Sequence, residues 1–146
     1  MKIIRYRDSH GDVHHGQHHD DGRVTRVQGD LFSLLVDTGE PAEVAKLLAP
    51  LEPRDILCIG LNYRKHAAEG NQPIPEYPVL FMKNVGTVQN PGDPILLPRR
   101  LRSDAVDFEC ELAVVIGRTC HNVSKSEALD HVLGYTCAND VSARDW

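Results

Sequence analysis

Asp107, Glu109 and Glu111 stand two residues apart in "VDFECELAVVIG" (106–117), interleaved with Phe108, Cys110 and Leu112 and followed by an apolar run. In a strand, residues two apart share a face at roughly 6.6 Å spacing. Glu109 and Glu111 would then project side by side, with Asp107 next in line. Like charges so placed beside apolar residues disfavour each other's ionisation. Bound protons, a neighbouring arginine or a divalent cation would offset this. The stretch holds no basic residue, although Arg102 and Arg118 flank it. A hard cation such as Mg²⁺, Mn²⁺ or Ca²⁺ takes oxygen ligands and would turn repulsion into binding. A solvated acidic face on an edge strand has the same spacing, and spacing alone does not choose between them.

Two further groups could do chemistry. In "GYTCANDVSARDW" an apolar strand runs into a polar loop at Asp140, next to Asn139 and near Ser142. An aspartate there can close an Asx-turn or supply a third oxygen ligand from a strand end. In "YRKHAAE" His66 and Glu69 are three apart and share one face if the segment is helical. A carboxylate bonded to one imidazole nitrogen raises the basicity of the other, as a general base requires. An incidental surface pair would look the same.

These groups need elements to hold them. Residues 1–37 alternate in a β-like way ("KIIRYRD", "VHHGQHH", "RVTRV"), separated by "SHGD" and "DDG" turns. "GEPAEVAKLL" predicts a short helix, with Pro41 in its first turn and Val44, Leu47 and Leu48 on its apolar side. "APLEPRD" (49–55) is a connector and marks a boundary between a domain over 1–52 and another over 53–146. "ILCIG" predicts a strand, and "LNYRKHAAEG" a helical turn or two capped by Asn62. "NQPIPEYP" is extended loop, since three prolines in eight residues forbid regular structure. "VLFMK", "ILLP" and "ELAVVIG" predict strands. "SKSEALDHVLGY" carries a capping box, Ser124 with Glu127, and Gly134 as a helix stop. Many short strands with two or three short helices predict a mainly β, α+β architecture.

Composition excludes several classes. With 41% hydrophobic and 25% charged residues the chain is globular, not disordered. A net charge of −5 gives no reason to expect nucleic acid or an anionic membrane as partner. No apolar stretch approaches the ~18 residues that span a bilayer, and the start has no signal-peptide core. Cys58, Cys110, Cys120 and Cys137 form no CxxC pair and read as reduced core thiols of a cytoplasmic protein. Five of the eight histidines (His10, His14, His15, His18, His19) crowd "SHGDVHHGQHHDDG", but their alternation fits a strand pair better than a closed metal site.

"IGLNYRKHAAE", "PVLFMKN", "VDFECELAVVIG" and "GYTCANDVSARDW" follow one another in the order and rough spacing of the fumarylacetoacetate hydrolase family. The chain resembles that family over essentially its whole length. "MKIIRYRD" through "LLAPLEP" is similar to the small N-terminal β-rich domain of many bacterial members. The resemblance implies a small β-rich domain followed by the first part of a fumarylacetoacetate-hydrolase-type β-roll. It implies a Mg²⁺- or Mn²⁺-dependent enzyme, with Ca²⁺ also fitting, that acts on a small-molecule 2-oxo acid and forms a homodimer. Carried over by position, Glu109, Glu111 and Asp140 are the metal ligands, and His66 with Glu69 is the dyad that activates water. Lys83 of "FMKN" falls in the substrate pocket, Asp107 beside the metal, and Arg144 of "SARD" in the ordering of its loop. The implied reaction is C–C hydrolysis of an acylpyruvate. Isomerisation or decarboxylation of 2-hydroxy-diene dioates in aromatic catabolism is the alternative.

The family pattern continues past the position matched by Trp146, with a pocket glutamine and well over half of the β-roll. The expectation is therefore a fragment with little or no turnover alone; a non-catalytic binding or oligomerising remnant is the remaining alternative.

Overall fold

The computed structural model describes residues 1–146. Eleven strands and one six-residue α-helix make it mainly β, of the α+β class that the short alternating segments predict. It divides into two compact units, Met1–Val27 with Asp37–Pro94, and Gln28–Val36 with Ile95–Trp146.

A five-stranded sheet of order β4-β3-β2-β1-β5 is built from β1 (Ile3–Arg7), β2 (Val13–His18), β3 (Val24–Gly29), β4 (Leu35–Pro41) and β5 (Lys46–Leu48). Tyr6 is fully buried, and Thr25, Leu48 and Ala49 are buried too. Gly16 makes this packing possible: a Cβ there would lie 2.9 Å from the Thr25 carbonyl oxygen and 3.1 Å from the Tyr6 ring. The β1–β2 turn is clasped by Asp8. Its Oδ1 accepts the backbone N–H groups of His10 (3.0 Å) and Asp12 (2.9 Å), and its Oδ2 bonds His14 Nε2 at 2.9 Å. Burial alone would raise the Asp8 carboxyl pKa, but the His14 and backbone hydrogen bonds outweigh it and hold the group below the ordinary aspartate value.

The helix expected over "GEPAEVAKLL" does not form. β4 runs through Pro41, Ala42 N–H donates to the Val24 carbonyl (2.9 Å), Ala45 N–H to the Arg7 carbonyl (2.9 Å), and β5 pairs antiparallel with β1. A ten-residue helix is marginal by itself, and the sheet offers its backbone groups ready partners.

The rest of the first unit pairs β6 (Ile56–Gly60) antiparallel with β7 (Val79–Lys83) around α1 (Arg64–Glu69). Asn62 does not cap α1. Leu61 takes a positive φ of 50°, and Tyr63 occupies the cap position without a side-chain bond. The other end is well closed: Asn71, at φ 49°, donates to the Ala68 carbonyl (3.1 Å) and Gln72 to that of Ala67 (2.8 Å), a Schellman arrangement. "ILLP" forms no strand, because no segment pairs with it; Ile95, Leu96 and Leu97 are exposed.

In the second unit β9 (Cys110–Ile116) pairs antiparallel with β10 (Val132–Asn139), and β8 (Val106–Asp107) with β11 (Ser142–Ala143). The capping box forms, with Ser124 Oγ donating to Glu127 Oε2 at 2.6 Å. No α-helix follows it. A single 3-10 turn (Ala128–His131) leads into β10, because "HVLGY" completes a ladder with β9. Gly134, expected as a helix stop, sits instead at a register shift in that ladder. The apolar run of β9 is not interior: Leu112, Val114 and Ile116 are about half exposed or more. Nor are the cysteines core residues; none forms a disulfide, Cys58 is half-buried, and Cys110, Cys120 and Cys137 are exposed.

Candidate metal centre

The carboxylate ladder is not one continuous strand. Regular pairing stops after Asp107 and resumes at Cys110, so Phe108 and Glu109 form a break between β8 and β9. The facing chain breaks at the same level, between the end of β10 at Asn139 and the start of β11 at Ser142. Two bonds span the matched gaps: Asp140 N–H donates to the Glu109 carbonyl (2.9 Å), and Asn139 Oδ1 accepts from Glu109 N–H (3.2 Å). An alternating pattern would have placed three carboxylates in a row. The register is the same on either side of the gaps, with Asn139 opposite Cys110 and Ser142 opposite Asp107, and only Glu109 and Glu111 bring a carboxylate oxygen close to one of Asp140.

The result is a compact acidic cluster. One carboxylate oxygen from each of Glu109, Glu111 and Asp140 lies within 4.8 Å of the other two. An equilateral triangle of 4.8 Å side has its corners about 2.8 Å from its centre. Divalent oxygen-bound cations sit roughly 2.0–2.6 Å from their ligands, so a contraction of a few tenths of an ångström closes the shell. Asp140 is buried and both glutamates are half-buried. A buried carboxylate next to two others is costly without positive charge. The donor set is all oxygen and carries three negative charges, which suits Mg²⁺, Mn²⁺ or Ca²⁺ rather than a soft metal.

Positive charge comes to one edge of the cluster from Arg144. Its guanidinium pairs with Glu109 Oε1 and donates from Nε to Asp107 Oδ2 at 3.2 Å. Arg144 is anchored through its backbone N–H to the Ala105 carbonyl (2.8 Å). The next residue, Asp145, accepts from Ser103 Oγ (2.5 Å) and Asp104 N–H (3.0 Å). The Ser103 bond is the main cause that lowers the Asp145 pKa below the usual aspartate value. The Ser103–Asp145 tie escapes sequence reasoning because its partners are 42 residues apart with no spacing rule to join them.

His66, Glu69 and Lys83 belong to the first unit. His66 is half-buried and Glu69 exposed on α1, and no hydrogen bond joins them. Lys83 is the last residue of β7, opposite Ile56.

A second group, Asp8, Asp12 and His14, also brings ligand atoms within 4.8 Å of one another. Asp8 already spends both oxygens on the turn and on His14. His19 similarly bonds Thr25 Oγ1 at 2.8 Å. The His-rich tract thus serves the hairpins. No helix in the chain is long and apolar enough to cross a membrane.

Comparison with known proteins agrees with this architecture. The family described as "Fumarylacetoacetate (FAA) hydrolase C-terminal" matches residues 55–146, and "Rv2993c-like, N-terminal" matches 1–50. A fumarylacetoacetate hydrolase domain-containing protein 2 homolog of Dictyostelium discoideum is 52% identical over 73% of this chain and 34% of its own. An oxaloacetate tautomerase, fahd2, of Xenopus laevis mitochondria is 50% identical over 68% of this chain and 31% of its own. The crystal structure of a 5-carboxymethyl-2-hydroxymuconate delta-isomerase from Mycobacterium smegmatis superposes with a TM-score of 0.83 at 36% identity, covering 99% of this chain and 56% of that one. The chain thus spans about a third of these two sequence relatives and little more than half of the solved structure. With residues 55–146 matched to its C-terminal region, the chain belongs to the fumarylacetoacetate hydrolase family.

Proposed function

We propose that the protein is a divalent-metal-dependent enzyme that acts on a small 2-oxo acid by moving a proton between its keto and enol forms. The observation that carries this reading is the convergence of Glu109, Glu111 and Asp140 carboxylate oxygens within 4.8 Å. Mg²⁺ or Mn²⁺ held there would act as a Lewis acid towards the 2-oxo carboxylate. The chain's own residues do the rest. Glu109 presents its carboxylate from the gap before β9 and Glu111 from β9 itself, and Asp140 holds the third from the facing gap. His66 is the group to accept and return the proton, with Glu69 to orient it, and Lys83 offers a cation to the distal end of the substrate. Tautomerase and isomerase names among the relatives support the proton-transfer outcome.

A second reading is C–C hydrolysis of an acylpyruvate, with His66 and Glu69 activating water. It is favoured by the presence of both members of that pair on one helix. In either reading the protein works in the cytoplasm and as a homodimer, whose contact would cover exposed apolar side chains such as Leu112 and Ile116.

The test is ternary binding. Oxalate, a mimic of the planar 2-oxo carboxylate enol, is titrated into the protein with and without Mn²⁺. Binding only with Mn²⁺ is expected; binding without metal, or none with it, overturns the reading. Product analysis separates the two chemistries, since hydrolysis yields two fragments and isomerisation one.

A further inference from the structure

We propose that Arg144 is an exchangeable counter-ion of the carboxylate cluster. Its guanidinium neutralises Glu109 while no cation is held, and withdraws onto Asp107 when one binds. The inference rests on the cation-binding reading above.

The geometry supplies a place to go. Arg144 touches two carboxylates through different nitrogens, Nη2 to Glu109 and Nε to Asp107. Only Glu109 belongs to the trio that converges on a cation; Asp107 does not. Releasing Glu109 therefore need not break the Asp107 contact. The base of the side chain is fixed by the Ala105 bond and by Asp145, so the movement is confined to the flexible outer part. The Arg144 and Asp107 side chains are 43% and 50% exposed, and that of Glu109 is 20% exposed. Pairs at that exposure are individually weak, so the exchange has little to overcome.

The charges also divide in this way. Asp107, Glu109, Glu111 and Asp140 bring four negative charges to the region. A divalent ion against three of them leaves Asp107 as the natural partner of Arg144. A guanidinium kept on Glu109 would instead stand within hydrogen-bond reach of a metal-ligand oxygen and oppose the cation. Asp107 thus acts as a resting position for Arg144, and Arg144 as a positioning residue.

The experiment titrates Mn²⁺ into the 146-residue chain, reading free Mn²⁺ by electron paramagnetic resonance. Arg144→Gln is expected to tighten binding about tenfold, the order expected for removing a unit charge about 5–6 Å from a divalent ion in a water-like medium. Asp107→Asn is expected to weaken it roughly threefold or more, because Arg144 keeps only Glu109 as partner. In the Arg144→Gln background the same Asp107→Asn change loses only its own charge and should weaken binding clearly less than in the wild type. That non-additivity is the signature of exchange. A pair that stays fixed would also shift the two single changes in opposite directions, by charge alone, but their effects would then add.

Arg144→Lys keeps the charge but bridges one carboxylate at a time, and should fall between wild type and Arg144→Gln. It also serves as the test if circular dichroism shows Arg144→Gln unfolded. Equal or weaker binding in the folded Arg144 variants, or strict additivity of the Arg144→Gln and Asp107→Asn changes, overturns the exchange while leaving the metal site standing. Absence of Mn²⁺ uptake that depends on Asp140 overturns both.

Discussion

Replacing Asp140 by Asn removes one of the three charges from the cluster while keeping a side chain of nearly the same size and an oxygen that can still reach a cation. The ligand oxygens lie within 4.8 Å of one another, so a centrally placed cation lies at most about 2.8 Å from each. Even in a water-like dielectric, a divalent ion and a unit charge at that separation attract by about 3 kcal/mol. That corresponds to roughly a hundredfold in affinity. The buried setting of Asp140 makes this a lower bound, since its field is less screened than that of an exposed group. Isothermal calorimetry with Mn²⁺, on wild type and Asp140→Asn with matching circular dichroism, is the assay. Weakening by about two powers of ten or more is expected. A change below about threefold would show that the convergence of oxygens holds no cation, and the reasoning from carboxylate geometry would be wrong.

Three further outcomes follow from the fold. Asp8 has its pKa lowered in the folded chain, so its stabilising contribution is full above the ordinary aspartate value of 3.8 and is lost as pH falls below it. The difference in melting temperature between wild type and Asp8→Asn should therefore be largest near neutral pH and shrink in acid; a difference that grows in acid would contradict the assigned bonds. Gly29→Ala should cost about 1–3 kcal/mol in urea denaturation, because Gly29 has φ 113° and an added Cβ would lie 2.0 Å from the Leu34 carbonyl oxygen. Gly22→Ala, at φ 86° with open space around it, should cost less, and equal costs would exclude the steric part. Ser103→Ala should destabilise by about 1 kcal/mol through loss of the Asp145 bond, with faster hydrogen exchange at the Arg144 amide as the local readout.

Much of the β framework was legible because period-two alternation has one physical cause, a sheet with two faces. "RYR" around Tyr6 and "VTRV" around Thr25 show it, and each buries its central residue. The members of the acidic trio were legible as candidates, Glu109 and Glu111 from their spacing and the set with Asp140 through the family resemblance. What alternation could not convey was the break at Phe108–Glu109, since a local irregularity leaves no mark in a binary pattern. By alternation alone Asp107 looks equivalent to Glu109, yet only Glu109 joins the cluster. The helix expected near Val44 failed for the opposite reason: local propensity was adequate, but backbone partners on β1 and β3 decided the outcome. "ILLP" shows the converse case, with strand-like residues and nothing to pair with. The exposure of Leu112, Val114 and Ile116 was equally unreadable, because hydrophobicity says that a side chain prefers cover, not what lies over it.

The paired gaps at 108–109 and 140–141 also set a rule for how this site tolerates change in length. Removing Phe108 alone would shift Asp107 by one position against the facing chain and turn alternate side chains to the opposite side of the ribbon. Point substitutions at Phe108, which is 75% exposed, leave the count intact and should be borne easily. The counting of residues, more than the identity of the one in the gap, is what keeps Asp107 and Arg144 in step with the glutamates and the aspartate.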